Sequence, residues 1–459
     1  MRFIPKQFYF STLFIFVCII TYQCTTIAHT SKHYVDKNAS GQNNGTSWKN
    51  AWESFSDIEW NQIQPGDTIY ISGGTDSTIY YEELSVGANG IASNPITLIA
   101  GKYSPSSSGH SGRVIIDGGG TRGQSVYVHD RKYVAIKGFE CRHAMKGVNV
   151  EADVHVSNIV IDSLNIYDYN DQAGIMLNGI QSAYTVDSVT IKNCRIVSWP
   201  MYKGQTDGIY MQGAQRTTIH DNYIRVPNQD PLAHNDVIQG YHCNGFVIYN
   251  NILINDSVYS PEGGGIPLIL GSEGANPVVI YNNFIYMGGV WLPTGNMSAV
   301  LCTRWYDNNP MPPTWIINNT IIANGPRCRG IWQQYTATCI NNIIAMYCPP
   351  AYRHLTFMNN FDVWDLPSSA IVDSIRSNLF WKDGLDIGFT GQYTGNGLTG
   401  GISDWFDWVS IYGGTGVNAD PKLVINVGYE PDQGTLNGEL KPNSPAINNG
   451  EDIQHYLDY

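Results

Sequence analysis

Seven segments of the chain place β-forming and polar residues in one repeated order. They are IVIDSLNI (159–166), VTIKNCRI (189–196), TTIHDNYI (217–224), FVIYNNIL (246–253), VVIYNNFI (278–285), TWIINNTI (314–321) and ATCINNII (337–344). Apolar residues fall on alternate positions, the period of a strand with one buried face. The third positions are Ile161, Ile191, Ile219, Ile248, Ile280, Ile316 and Cys339, at steps of 30, 28, 29, 32, 36 and 23 residues. A second strand pattern recurs as AGIMLNG (173–179), DGIYMQG (207–213), DVIQGY (236–241) and GIPLILG (265–271). The period is too short for a propeller blade and carries no helical repeat. Two or three short strands per turn of about 30 residues describe one coil of a β-solenoid.

The polar pair supplies a further test. Its later member recurs as Asn222, Asn251, Asn283, Asn319 and Asn342. Coils stack about 4.8 Å apart, so equivalent side chains form a ladder. An Asn at a bend then bonds the Asn above and below, and this row is expected to be structural.

On these residues the chain resembles the right-handed parallel β-helix superfamily, the pectate-lyase-like fold. The opening YVDKNASGQNNGTSWKNAW (34–52), followed by QPGDTIYISGG (64–74), resembles the start of many secreted β-helix proteins. NGIASNPITLIAG (89–101) and VIIDGGG (114–120) continue it, as in the exo-acting pectate lyase group, and NADPKLV (418–424) with LKPNSPAINNG (440–450) is similar to a C-terminal segment of those proteins. The resemblance implies an all-β chain, a right-handed parallel β-helix solenoid of roughly eleven coils. It does not specify a reaction, because the architecture hosts lyases, hydrolases, epimerases and non-catalytic adhesins. Neither the clustered aspartates with Lys or Arg of calcium pectate lyases nor the paired aspartates of polygalacturonases is found.

The expected organisation is an export signal over 1–28 and one β-helix domain over 29–459. Within it, 29–64 form the N-terminal cap, 65–345 the regular coils, and 346–459 irregular coils and a C-terminal segment. Strands are expected at 68–72, 96–100, 113–117 and 133–137. Trp364, Trp381, Trp405 and Trp408 lie among Gly-rich loops, which read as irregular coils or a lateral packing element. Arg2 and Lys6, the apolar run Phe8 to Ile20 and the small-residue site Thr26-Ile27-Ala28 make the signal. Lipidation at Cys24 is the second reading, placed behind soluble secretion. No later segment is long and apolar enough to span a bilayer.

Composition agrees with short strands: 47 Gly, 29 Tyr, 12 Trp and 14% charged residues among 459, with 42% hydrophobic residues to fill a core. The net charge is −13, and loss of Arg2 and Lys6 makes it more negative. That argues against nucleic acid and anionic membranes as partners, while a local basic groove or bound cation still admits an acidic polysaccharide. Seven cysteines follow the signal without a CxxC pair, which argues against structural zinc. The bland reading makes several of them apolar fillers, and Cys328 and Cys348 are candidates for a disulfide.

Chemistry is expected between Gln205 and His242. Asp207 lies 12 residues before Ile219 and Asp236 lies 12 before Ile248, so the two are in register on neighbouring coils; Ala173 takes the matching place one coil earlier. Carboxylates this close share a proton, bind Ca²⁺ or cap turns. Strict alternation puts Asp207 on the side of Ile209 and Met211, so it reaches solvent only from the turn. Lys203, His220 and His234 are candidate catalytic partners. Tyr210 and Tyr241 would stack on sugars, with His242, Arg225, Arg304 and Arg329 as further substrate contacts; Arg327 would lengthen the same groove, Asp230 falls within the same coil or its neighbour, and Glu262 and Glu273 are weaker acid candidates. In a lyase the aspartates would hold Ca²⁺ while Lys203 or His234 acts as base. In a hydrolase the carboxylates act directly, and one coil step fits the retaining separation of roughly 5–5.5 Å. Both readings make the protein a secreted polysaccharide-cleaving enzyme, with an acidic polymer favoured. The alternative is a non-catalytic glycan-binding or structural surface protein.

Overall fold

A computed structural model of the chain describes residues 30–198, 204–227, 233, 235–255, 265–288, 297–303, 312–324, 328–333, 338–346, 375–382, 392–393, 400–401, 405–410, 415–423 and 439–453. The repeat seen in the sequence is the stacking register. Ile161 pairs with Ile191, then Ile219, Ile248, Ile280, Ile316 and Cys339, each on the next coil. All pairings between coils are parallel, which makes the molecule a parallel β-helix.

Each regular coil visits three sheets. The coil beginning at Gln172 contributes Gln172–Asn178 to sheet C, Val186–Lys192 to sheet A and Arg195–Val197 to sheet B. The next contributes Thr206–Gln212, Ala214–His220 and Tyr223–Val226. One coil later the C and A strands fuse into Ile238–Tyr249, whose two halves pair with both sheets. The expected early strands are present as Thr68–Ile71, Ile96–Ala100, Arg113–Asp117 and Lys132–Lys137.

Alternation sends one set of residues inward. Val148, Ile175, Ile209, Ile238 and Leu268 stack beneath sheet C, and Ile196, Ile224, Leu253, Ile285 and Ile321 beneath sheet B, all within one fully buried core. Each such side chain contributes roughly 1.5–3 kcal/mol of hydrophobic stabilisation. Cys141, Cys194, Cys243, Cys302 and Cys339 are buried, as filler in these rows. Burial pushes the thiols of Cys194 and Cys243 up to about 12, so they stay protonated. Cys348 lies outside the described residues, as does the side chain of Cys328.

The turn from sheet A to sheet B explains the polar pair. Its first residue is left-handed, with φ 54° to 56° at Asn193, Asp221, Asn250, Asn282, Asn318 and Asn341, a conformation Asn and Asp tolerate. The second residue points inward. Asn251 Nδ2 donates to Asn283 Oδ1 at 3.0 Å, Asn283 to Asn319 at 3.0 Å and Asn319 to Asn342 at 3.0 Å. The ladder runs on to Asn378.

Parts of the opening and tail motifs pack against the coils. Lys32–Val35 pairs with Thr68–Ile71, so part of the opening joins sheet A. Trp52 is fully buried and stacks on His33 at 5.5 Å. Gly45, at φ 71°, lies against it; a Cβ there would come within 2.6 Å of the indole. At the other end Trp405, in the short helix Trp405–Ser410, meets the core residue Phe380 at 6.3 Å. Leu423 and Leu440 from the two tail motifs pair as a bridge. They pack beside Ile254, Phe284 and Ile322 on the outer side of sheet B. The two tail motifs therefore pack laterally against sheet B. Among the described residues, no helix is long and apolar enough to cross a membrane.

Candidate functional site

The two aspartates lie side by side as expected. Ala173 pairs with Asp207, and the N–H of Gly208 bonds the Asp236 carbonyl at 2.9 Å, which aligns Asp207 with Asp236. Their side chains correct the sequence reading. Asp207 is 1% exposed and Asp236 has no exposed surface. Asp207 Oδ1 accepts the N–H of Asp236 at 2.9 Å, and Asp236 Oδ1 accepts the N–H of Ile266 at 2.6 Å. Each carboxylate thus holds the backbone of the following coil rather than capping its own turn. Inward parity at the strand start is the physical cause. Asp236 leaves the candidate site.

Asp207 stays, because it reaches a groove from below. The groove encloses roughly 310 Å³ over sheet C. Asp171, Gln172 and Gln205 line it from the turns, and Met176, Tyr210 and Gln212 from the strands, with Asp207 among them. Gln205 Nε2 lies 3.4 Å from Asp207 Oδ2. The Tyr210 hydroxyl donates to Gln212 at 3.2 Å. Burial, with the nearby charge of Asp207, pushes the Tyr210 phenol up to about 12. At neutral pH it is a hydrogen-bond donor. Two carboxylates and a phenol in one groove suit proton transfer at a glycosidic oxygen.

The groove lies within a longer polar face. Outward positions on sheet C run in register from Tyr127 through Asn149, Met176 and Tyr210 to Gln239. The second row holds His129, Glu151, Asn178, Gln212 and Tyr241. Tyr241 therefore belongs to this face, one coil from the groove. Sequence reasoning missed Asp171, Met176, Gln212 and Glu151. For Met176 and Gln212 the signal was available, since counting three and five residues on from Ala173, Asp207 and Asp236 marks their rows; Asp171 and Glu151 fall outside that count.

Other candidates are scattered by the three-sided coil. His220 lies on sheet A, where its ring stacks on Tyr249 at 4.7 Å and Tyr249 on Tyr281 at 4.8 Å. Its Nδ1 meets Asp221 at 2.6 Å. Arg225 lies on sheet B beside Val197 and Ile254. Neither shares a sheet with Asp207, because one strand further along the sequence is another side of the solenoid. His242 is buried at φ 49° and bonded to Glu273 at 2.8 Å, an internal pair rather than a substrate contact. Lys203, His234, Asp230, Glu262, Arg304 and Arg327 lie outside the described residues, as does the side chain of Arg329.

The Asp207–Asp236 pair does not fit Ca²⁺. That ion takes six to eight oxygens from carboxylates, carbonyls and water. Here each aspartate has one oxygen on a backbone N–H, and Asp236 meets no solvent. A separate cluster brings a ring nitrogen of His129 and carboxylate oxygens of Asp130 and Asp153 within 4.8 Å of one another. It is held by hydrogen bonds: His129 Nε2 lies 3.1 Å from Asp153 Oδ2, and Asp130 Oδ1 accepts the N–H of Val154 and of His155.

No protein-family model matches the chain, and no curated protein matches it. Solved structures do. A pectate lyase, Pel9A, is 18% identical over 93% of each chain with a TM-score of 0.50. An alginate lyase from Paenibacillus sp. str. FPU-7 is 18% identical, covering 67% of this chain and 97% of its own, with a TM-score of 0.44. XylC in complex with xylose is 11% identical, covering 77% of this chain and 76% of its own, with a TM-score of 0.47. The likeness to Pel9A is one of fold: this chain is a parallel β-helix.

Proposed function

We propose that the protein is a secreted β-helix enzyme that cleaves a polysaccharide lying along the outer face of sheet C. The observation that carries the reading is the groove lined by Asp171, Asp207 and Tyr210. Asp171 and Asp207 would supply the acid and base of the cleavage, and Tyr210 would donate to a sugar oxygen. Tyr241 and the carboxamides on either side would position neighbouring units. Export through residues 1–28 belongs to the same reading.

The test is a digest of uronate-containing and neutral polysaccharides by the mature protein, with and without Ca²⁺. Reducing ends and the absorbance of unsaturated uronates are read together. Product from the wild type that disappears with Asp171→Asn or Asp207→Asn supports the reading. A second reading, a non-catalytic glycan-binding protein, is favoured by the bond from Asp236 N–H to Asp207, a structural task for that carboxylate. Retention on a polysaccharide without any product would select it. Recovery of secreted protein beginning near His29 would support export.

A further inference from the structure

We propose that the glycan taken by sheet C is uncharged, and that Glu151 is the residue that excludes acidic sugars. The inference rests on reading this face as the glycan site, and names its substrate class.

The two outward rows offer hydrogen-bonding groups suited to hydroxyls. Carboxamides at Asn149, Asn178, Gln212 and Gln239 both donate and accept, and so do the phenols of Tyr127 and Tyr210. Neither row, over the five coils from Tyr127 to Gln239, contains Lys or Arg. The one carboxylate in them is Glu151, and it is held in place from three sides. Tyr127 Oη donates to Glu151 Oε2 at 2.8 Å, Asn149 Nδ2 to the same oxygen at 3.3 Å, and Asn178 Nδ2 to Oε1 at 3.3 Å. These donors hold its charge at the surface two coils from Tyr210.

The second observation is independent of that charge. Asn149 Oδ1 and Gln239 Oε1 are buried with no hydrogen-bond partner among the described residues. They stand in the same row on opposite sides of the groove coil. Acceptors left without donors are satisfied by O–H or N–H groups and made worse by another acceptor. A neutral sugar brings hydroxyl donors. A uronate brings more acceptors and a negative charge, to be set beside Glu151 without a Lys or Arg in either row.

The class of glycan limits the reaction. β-Elimination uses a uronate carboxylate to acidify the neighbouring C–H, and an uncharged chain has none. Cleavage would then be hydrolytic. The glycosidic C–O bond breaks, the hydroxyl of water joins the anomeric carbon, and the proton of water ends on the departing oxygen.

The test compares polymers that differ only in charge. Polygalacturonate and alginate are each paired with their carboxyl-reduced forms, with xylan and galactan added, and binding to mature protein is measured by calorimetry. The wild type should bind a neutral form roughly tenfold or more tightly than its uronate counterpart. Glu151→Gln should close most of that gap by gaining uronate affinity. Asn178→Asp, which adds a charge to the same row, should widen it. Tighter binding of uronates by the wild type, or an unchanged gap in both variants, would overturn the inference while leaving a glycan face intact. Binding of no polymer at all would overturn the glycan reading and this inference with it.

Discussion

Asp207 and Asp236 have the same side chain, the same register and the same bond to the following coil, yet only Asp207 borders the groove. Substitution should separate them. Asp236→Asn keeps an oxygen for the Ile266 N–H, so the variant should fold and retain activity. Asp207→Asn keeps the bond to Asp236 N–H but loses the charge, and should lower turnover by roughly 10²–10⁴-fold with little change in melting temperature. Asp207→Ala should also cost about 1–3 kcal/mol, since it leaves a buried N–H unbonded. Equal activity loss in Asp207→Asn and Asp236→Asn would restore the pair as the site. The register of the pair was legible because it needs only counting. Its reach was not, because solvent access at a strand start depends on how the turn between sheets B and C is built. Parity had already placed Asp207 with Ile209 and Met211, and parity prevailed.

At the level of elements, the polar turn was the most legible feature and the faces were the least. Asn283 shows why the turn must be Asn. Its Oδ1 accepts from Asn251 N and Nδ2, and its Nδ2 donates to Asn319 Oδ1 and to the carbonyls of Ile248 and Tyr281. Asn283→Ala would strand several buried groups and should cost about 2–4 kcal/mol, read by denaturant unfolding. A loss below about 0.5 kcal/mol would show the ladder to be ornamental. His220, offered by the sequence as a catalytic partner, instead stacks with Tyr249 and Tyr281 along sheet A. Sheet B presents another contrast. Its apolar outer residues Ile254, Phe284 and Ile322 are met by Leu423 and Leu440, which no local pattern joins to them. Leu423→Asp should expose this patch, raising binding of a hydrophobic dye and speeding proteolysis near the tail. Unchanged dye binding would mean that other residues cover the patch.

Across the whole molecule, period and parity decided what sequence alone conveyed. A solenoid repeats its neighbour contacts, so one row of isoleucines predicts the register of seven coils. The site departs from the repeat, at Asp207 where the preceding coil has Ala173, and its copy on the next coil, Asp236, does not border the groove. Stability should likewise vary along the axis. Asp117, Asp130 and Asp162 all sit in earlier coils, and all are held below the usual carboxylate range. Burial alone would raise Asp117, but the Gly119 N–H at 2.9 Å, Arg142 at 2.7 Å and His143 more than reverse it. Asp130 is lowered by two backbone N–H groups, and Asp162 by Asn193, Ser163 and Lys137, again against burial. A carboxyl lowered in the folded state binds fewer protons there than in the unfolded chain. Its stabilisation is complete above the unfolded value of about 3.9 and disappears as pH falls through the lower folded value. The Asn ladder from Asn222 to Asn342 has no such proton dependence, because its amides do not titrate. Acid should therefore loosen the coils over 113–167 before those over 219–342. Hydrogen exchange at neutral pH and near pH 3, corrected for intrinsic rates, would show protection lost first in the earlier coils; uniform loss along the chain would mean that the solenoid unfolds as one cooperative unit and that these three carboxylates do not set its acid limit.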